Sequence, residues 1–174
     1  MQEEPRGHTA DQPAPGTTTG TASRYGVQSR RPRRLGAGSF SREGAESVWG
    51  LVNVTLTATM RMTRAMLPKM MERRAGVIVN NASVLGWRAQ KEQAHYAAAK
   101  AGVMALTRCA AVEAADYGIR INAVSPSIAL HDFLRKSAPQ AVLDQLAANE
   151  AFGRAAEVWE VANVMMFLAS DYSS

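Results

Sequence analysis

Twice along this chain a glycine closes a helix-patterned segment and is followed at once by an apolar run: Gly76 before Val77, Ile78 and Val79, and Gly118 before Ile119–Val124. Glycine at a helix end supplies the left-handed residue that stops the spiral. A short run of aliphatic residues without polar alternation is the pattern of a strand buried on both faces, in the middle of a parallel sheet. The order helix, strand, helix, strand, with short connections, selects an α/β layer fold with parallel strands joined by right-handed crossovers.

The helical segments are legible from their periodicity. In residues 48–73 the positions Val52, Leu56, Met60, Thr63 and Leu67 follow one broad stripe, while Arg61, Arg64, Lys69 and Glu72 can face water. This predicts one long helix, bent near Pro68. Five methionines between Met60 and Met71 suit adaptable core or subunit-interface packing. Residues 94–117 form a second helix, rich in alanine and interrupted only by Gly102. Ser125 and Pro126 end the second strand, and further helices are expected over 132–149 and 157–169.

Residues 1–46 contrast with all of this. They are rich in Pro, Gly, Thr, Ser and Arg, with almost no aliphatic residue larger than alanine. Such a segment cannot bury enough apolar area to offset its ordering entropy, so a disordered leader is expected over 1–46 and a folded portion over 47–174. Arg30, Arg31, Arg33 and Arg34 account for part of the formal charge of +5. No aromatic residues interleave with them to stack on bases, so a solvated arm is the reading and nucleic acid is not an expected partner. No apolar run reaches the roughly 18 residues of a membrane span, and the N-terminus has no secretory pattern. A cytoplasmic protein without a membrane partner is expected. The single cysteine, Cys109, excludes an intrachain disulfide and is expected to be a small buried apolar residue; no metal site is expected.

Tyr96 and Lys100 are four residues apart in the second helix, so they project from one face a turn apart. A phenol with an unperturbed pKa of about 10 is a poor base near neutrality, and a neighbouring ammonium favours its phenolate. The same spacing also occurs on any solvated helix face, so the pair needs corroboration. Ser83 supplies it. It follows the strand that runs from Val77 through Ala82, and in open α/β sheets ligands bind beyond the carboxyl ends of strands. A short loop then returns the chain to Tyr96.

The segments VIVNNASVLG, HYAAAKAGV and YGIRINAVSPS, in this order and spacing, resemble the second half of the classical short-chain dehydrogenase/reductase family, over about residues 47–174. The texture from Asn80 onward is similar to bacterial reductases of 3-oxoacyl thioesters and of steroid-ring catabolism. The resemblance implies part of a Rossmann-like, doubly wound parallel sheet. It implies NAD(P)-dependent hydride transfer between a ketone and a secondary alcohol, with Tyr96 as general acid/base. Ser83 would hold the carbonyl oxygen. Lys100 would tune Tyr96 and bond the nicotinamide ribose, and Asn53 would organise a proton-relay water through its backbone. Pro126, Ser127, Ile128 and Ala129 would lie by the nicotinamide, although Ser127 stands where the family has glycine and His131 falls near its usual threonine. Trp87, Gln90, Gln93, His95, His131 and Phe133 are candidates for lining the substrate pocket, with a plain structural role as the alternative for each. A homo-oligomer through the helices over 48–73 and 94–117 is implied as well.

One part of the family pattern is missing. A Thr-Gly-x-x-x-Gly-x-Gly turn between strand and helix should carry the pyrophosphate at a helix N-terminus. The nearest approach, Thr19 to Gly26, has Arg24 at the middle glycine and no apolar strand before it. The residue that chooses between NAD and NADP, an Asn-Asn-Ala-Gly strand and a final strand are also not found. A truncated frame is the expectation, with about two core strands whose unpaired edges favour aggregation. The alternative function is a non-catalytic remnant that acts only by helix packing.

Overall fold

The computed structural model describes residues 44–174; the expected leader lies outside them except for its last three positions. The chain enters helix α1 (Ala45–Val52), passes without a break through a π-helical turn at Asn53–Thr57, and continues as α2 (Ala58–Glu72). Pro68 lies inside α2, and the change of winding is the π turn, in which the Ala58 N–H reaches back five residues to the Asn53 carbonyl.

Strand β1 (Gly76–Asn81) follows α2, then a 3-10 turn at Val84–Gly86, helix α3 (Ala94–Ala115) and strand β2 (Ile119–Val124). The strands pair in parallel with Gly76 opposite Ile119 and Asn81 opposite Val124, as the helix–strand alternation predicts. At the end of α2 the left-handed residue is Arg74 (φ 51°), not Gly76. Its guanidinium donates to the Asp116 carbonyl at 2.6 Å and lies over the Tyr117 ring, which holds an unfavourable backbone conformation in place. Gly76 is needed for another reason: a Cβ there would lie within 3.0 Å of the Met70 side chain. Gly118 (φ 68°) plays the helix-ending part expected of it.

Two apolar clusters fix α3 on the strands. One joins Met70, Ala110, Ala114, Ile119 and Ile121; the other joins Ala82, Val103 and Met104, with Leu56 and Ala123 against it. Between them runs a buried polar link: Asn80 Nδ2 donates to Thr107 Oγ1 at 2.9 Å, and that hydroxyl donates to the Val103 carbonyl. β1 was expected to be buried on both faces. Its Val77, Ile78 and Val79 are only half-buried, because β1 and β2 are the only strands among the described residues and each has an open edge.

The helix expected over 132–149 is two, α4 (Asp132–Ser137) and α5 (Gln140–Ala148). The residue before a proline is pushed out of the helical region, and Ala138 is accordingly extended (ψ 145°) ahead of Pro139. Helix α6 (Val158–Ala169) starts with a capping box in which Glu157 and Glu160 each bond the other's backbone N–H. Arg120 of β2 ties down its far end through the carbonyls of Leu168 and Ser170, both at 2.9 Å. Cys109 is exposed, against expectation, because it stands on the face of α3 turned away from both clusters. No helix among the described residues is long and apolar enough to cross a membrane.

Candidate active site

The carboxyl end of β1 organises the site. Past Asn81 the chain stays tied to β2: the Ala82 N–H donates to the Val124 carbonyl (2.8 Å) and the Val84 N–H to the Pro126 carbonyl (3.0 Å). Ser83 lies between these two bonds, buried, and its Oγ accepts the Leu85 N–H at 3.2 Å, capping the 3-10 turn. A hydroxyl that accepts one bond still has its proton to donate, so this cap is compatible with holding a carbonyl oxygen.

Lys100 closes the arrangement from α3. Its Nζ donates to the Asn81 carbonyl at 2.7 Å and lies 5.7 Å from the centre of the Tyr96 ring. The ammonium thus joins the helix face bearing Tyr96 to the strand end that leads into Ser83. Burial pushes the Lys100 pKa below its usual range. The structure brings Tyr96, Lys100 and the end of β1 together; it also packs the 3-10 turn capped by Ser83 on α3, since a Cβ on Gly86 would meet Met104 and the Ala101 backbone.

Asn53 is the first residue of the π turn and is exposed. Its carbonyl accepts the Ala58 N–H, and its side-chain oxygen accepts the Thr57 hydroxyl at 3.2 Å. The π turn presses on α3 two residues beyond Lys100: Leu56 occupies the space that a Cβ on Gly102 would need, 2.7 Å away.

The loop after β2 is held at several points. The Ser127 hydroxyl donates to Glu150, the Ile128 carbonyl accepts the Ala156 N–H, and Ala129 forms a bridge with Ala156. Pro126 adjoins the Ser83 turn through the Val84 bond. The substrate candidates are more scattered. Trp87 is 71 % exposed just after the 3-10 turn, Gln93 immediately precedes α3 without a side-chain capping bond, and His95 is buried in the first turn of α3. Gln90 and Phe133 are exposed. His131 caps α4, its Nδ1 accepting the Leu134 N–H, and stacks on Phe133.

A groove of about 550 Å³ runs between α2 and β1, and a smaller one of about 290 Å³ between α2 and α3. Neither is lined by Ser83, Tyr96 or Lys100. Two contributors escaped the sequence reading. Asn81 acts through its backbone carbonyl, a role that no residue type announces, and Glu150 acts as the acceptor for Ser127, which only the folded loop reveals.

Comparison with known proteins accounts for the pattern. Residues 31–174 match the family model described as enoyl-(acyl carrier protein) reductase. A reductase from Mycobacterium tuberculosis, named for a hydroxy-methyl-oxo-hexahydroindene-carboxyl-CoA substrate, is 68% identical over 125 residues, covering 71% of this chain and 48% of that protein. A short-chain dehydrogenase of Mycobacterium smegmatis has 54% identity and a TM-score of 0.63 over 82% of this chain and 51% of its own. The NADP-bound structure of ElxO has 28% identity and a TM-score of 0.74 over 79% and 56%. The chain spans about half the length of the curated relatives it matches. With a family model matched along most of its length and relatives of this kind, the chain belongs to the short-chain dehydrogenase/reductase family.

Proposed function

We propose that this chain carries the proton-transfer half of an NAD(P)-dependent oxidoreductase that interconverts a ketone and a secondary alcohol. The observation that supports this most is the Lys100 bond to the Asn81 carbonyl, which sets an ammonium beside Tyr96 at the strand end leading into Ser83. Tyr96 gives its phenolic proton to the carbonyl oxygen during reduction and takes it back during oxidation. Ser83 donates to the same oxygen and keeps it facing Tyr96. Lys100 favours the phenolate by its charge, and Asn53 acts from the π turn through its backbone.

The described residues suit one end of a dinucleotide. Tyr96 and Lys100 would meet the nicotinamide ribose and Pro126, Ser127, Ile128 and Ala129 the ring; the bound cofactor supplies or accepts hydride. A glycine-rich turn for the pyrophosphate is not among them. The NADP held by ElxO and the coenzyme A ester in the name of the mycobacterial relative support NAD or NADP as cofactor and a ring ketone or 3-oxoacyl thioester as substrate. A cytoplasmic setting suits such substrates. Trp87, Gln93, His95 and His131 are the side chains proposed to line its pocket.

The test is oxidation of NADH or NADPH by the chain with 3-oxoacyl-CoA, followed at 340 nm as is usual for these cofactors. Tyr96→Phe should lower the rate about 100-fold to 10,000-fold with unchanged thermal unfolding. Equal rates in the two proteins would overturn the assignment. A second reading, a chain that acts by packing α2 and α3 against another copy, is favoured by the groove between those helices, lined by Met60, Leu67, Leu106 and the exposed Cys109. Self-association without turnover would support it.

A further inference from the structure

We propose that Glu150 sets the direction of hydride transfer: through the Ser127 hydroxyl it holds one negative charge beside the place assigned to the nicotinamide ring, and so favours reduction of the ketone. This rests on the reading that residues 126–129 meet that ring. Serine stands at 127 where the family has glycine, so the hydroxyl that makes the link belongs to this chain rather than to the fold in general. The bond has a definite sense. A carboxylate only accepts, so the Ser127 proton points at Glu150 Oε1 and the hydroxyl oxygen keeps its lone pairs for its other side. A hydroxyl polarised in this way carries more negative charge on its oxygen.

The link is fixed from both sides. Before it, the Pro126 carbonyl accepts the Val84 N–H at 3.0 Å; after it, the Ile128 carbonyl accepts the Ala156 N–H at 2.9 Å and the Leu130 N–H donates to the Ala156 carbonyl at 3.1 Å. Glu150 is anchored as well. It is half-buried just past α5, its N–H donates to the Ala147 carbonyl at 3.1 Å, and its carbonyl accepts the N–H of Gly153 at 2.9 Å. Its charge is not taken up elsewhere: Arg154, the nearest cation in sequence, gives both guanidinium nitrogens to Glu160, and no ion pair of Glu150 is present among the described residues. A charge held in place before the reaction acts on developing charge without any cost of reorganisation.

Ketone reduction moves a hydride, with both electrons of its bond, from the ring to the carbonyl carbon, while the Tyr96 proton goes to the carbonyl oxygen. The neutral dihydropyridine ring thereby becomes a pyridinium with one positive charge. A fixed anion stabilises that product and has little effect on the neutral ring, which makes the reduced cofactor the stronger hydride donor. The equilibrium in free solution is untouched; the equilibrium between the bound species shifts. The Lys100 ammonium opposes this effect from α3, but it stays on the Asn81 carbonyl and is unaltered in the variants below, so it cancels from the comparison.

The experiment measures dissociation constants of the reduced and oxidised forms of NAD and of NADP on the full 174-residue chain at low ionic strength, the reduced form by its own fluorescence and the oxidised form by competition. Glu150→Gln removes the charge yet keeps an oxygen to accept the Ser127 proton. It should raise the ratio of the oxidised to the reduced dissociation constant about threefold to tenfold. Ser127→Gly, which frees the carboxylate to turn to solvent, should raise the ratio in the same direction. Hydrogen exchange at the Leu130 and Ala156 amides, both bonded across the loop, checks that the loop stays in place. The unaltered chain gives an independent arm: added salt screens the carboxylate, so its ratio should rise toward that of Glu150→Gln, while the phosphates common to both forms cancel. A ratio indifferent to salt, a ratio unchanged by Glu150→Gln, or an equal loss of both affinities, as a merely structural role would give, each overturns the proposal. Failure of every nucleotide to bind the unaltered chain overturns the assignment of residues 126–129 to the nicotinamide, and this proposal with it.

Discussion

Lys100 is half-buried and bonded to a backbone carbonyl, and the burial sets a sign that can be measured. Its folded pKa lies below the ordinary 10.5, so the folded state holds fewer protons than the unfolded one through the window beneath that value. The cost of burying the ammonium is present at neutral pH and is relieved as pH rises toward 10.5. Relative to a Lys100→Met variant, the natural chain should gain stability across that alkaline window; urea titrations of both at several pH values check it, and a constant gap would show that Lys100 is not desolvated. A second residue-scale prediction concerns the link between Asn80 and Thr107. Thr107→Val keeps the shape of the side chain but leaves the buried Asn80 amide without its acceptor, which should cost about 1–3 kcal/mol in urea unfolding. Asn80 adjoins the residue whose carbonyl holds Lys100, so the loss should also loosen that contact, visible as a smaller pH dependence of stability.

At the scale of elements, helix α6 depends on its first turn. Arg154 makes an ion pair with Glu160 at 2.8 Å, and the same carboxylate accepts the Glu157 N–H. The Arg154 bond first, then the backbone bond, hold the Glu160 pKa down at about 2, against an ordinary 4.5. A depressed carboxylate stabilises above its unfolded pKa and loses that contribution as pH falls from 4.5 toward 2. Glu160→Gln should therefore lower the Tm modestly at neutral pH, less at high salt because the pair is at the surface; scanning calorimetry should show the difference vanish near pH 2. Much of this architecture was legible beforehand. Periodicity and the glycines placed α2, α3 and both strands, and the spacing of Tyr96 and Lys100 put them on one face. The π turn was not legible, since one extra residue in a turn barely disturbs an apolar stripe of period 3.6. Residues 132–149 kept a helical stripe that hid the stop which Pro139 imposes on Ala138. Cys109 was assigned to the core from residue type alone, yet position on α3 decides its exposure.

Among the described residues two different surfaces stand uncovered, and they make separate demands. The edge of β1 offers backbone groups, whereas the outer face of α3 offers side chains: Ala98, Ala105 and Val112 recur every seven residues on its exposed side, and Val112 is 78% exposed. Small residues at that spacing let another helix approach closely, and the neighbouring groove walled by Met60, Leu67 and Leu106 can receive larger side chains. A two-stranded sheet is marginal by itself, so covering both surfaces is where the chain can gain most of its stability. If α2 and α3 meet a second copy, a charge in the middle of that face should separate the copies without unfolding either. Val112→Glu is expected to convert a self-associated species to a monomer in sedimentation velocity, with helix content by circular dichroism unchanged. Because Val112 lines neither groove, the same variant should leave the packing of α2 on β1 and on α3 unchanged. Loss of helix content together with loss of self-association would mean that Val112 serves the fold of α3 rather than an interface.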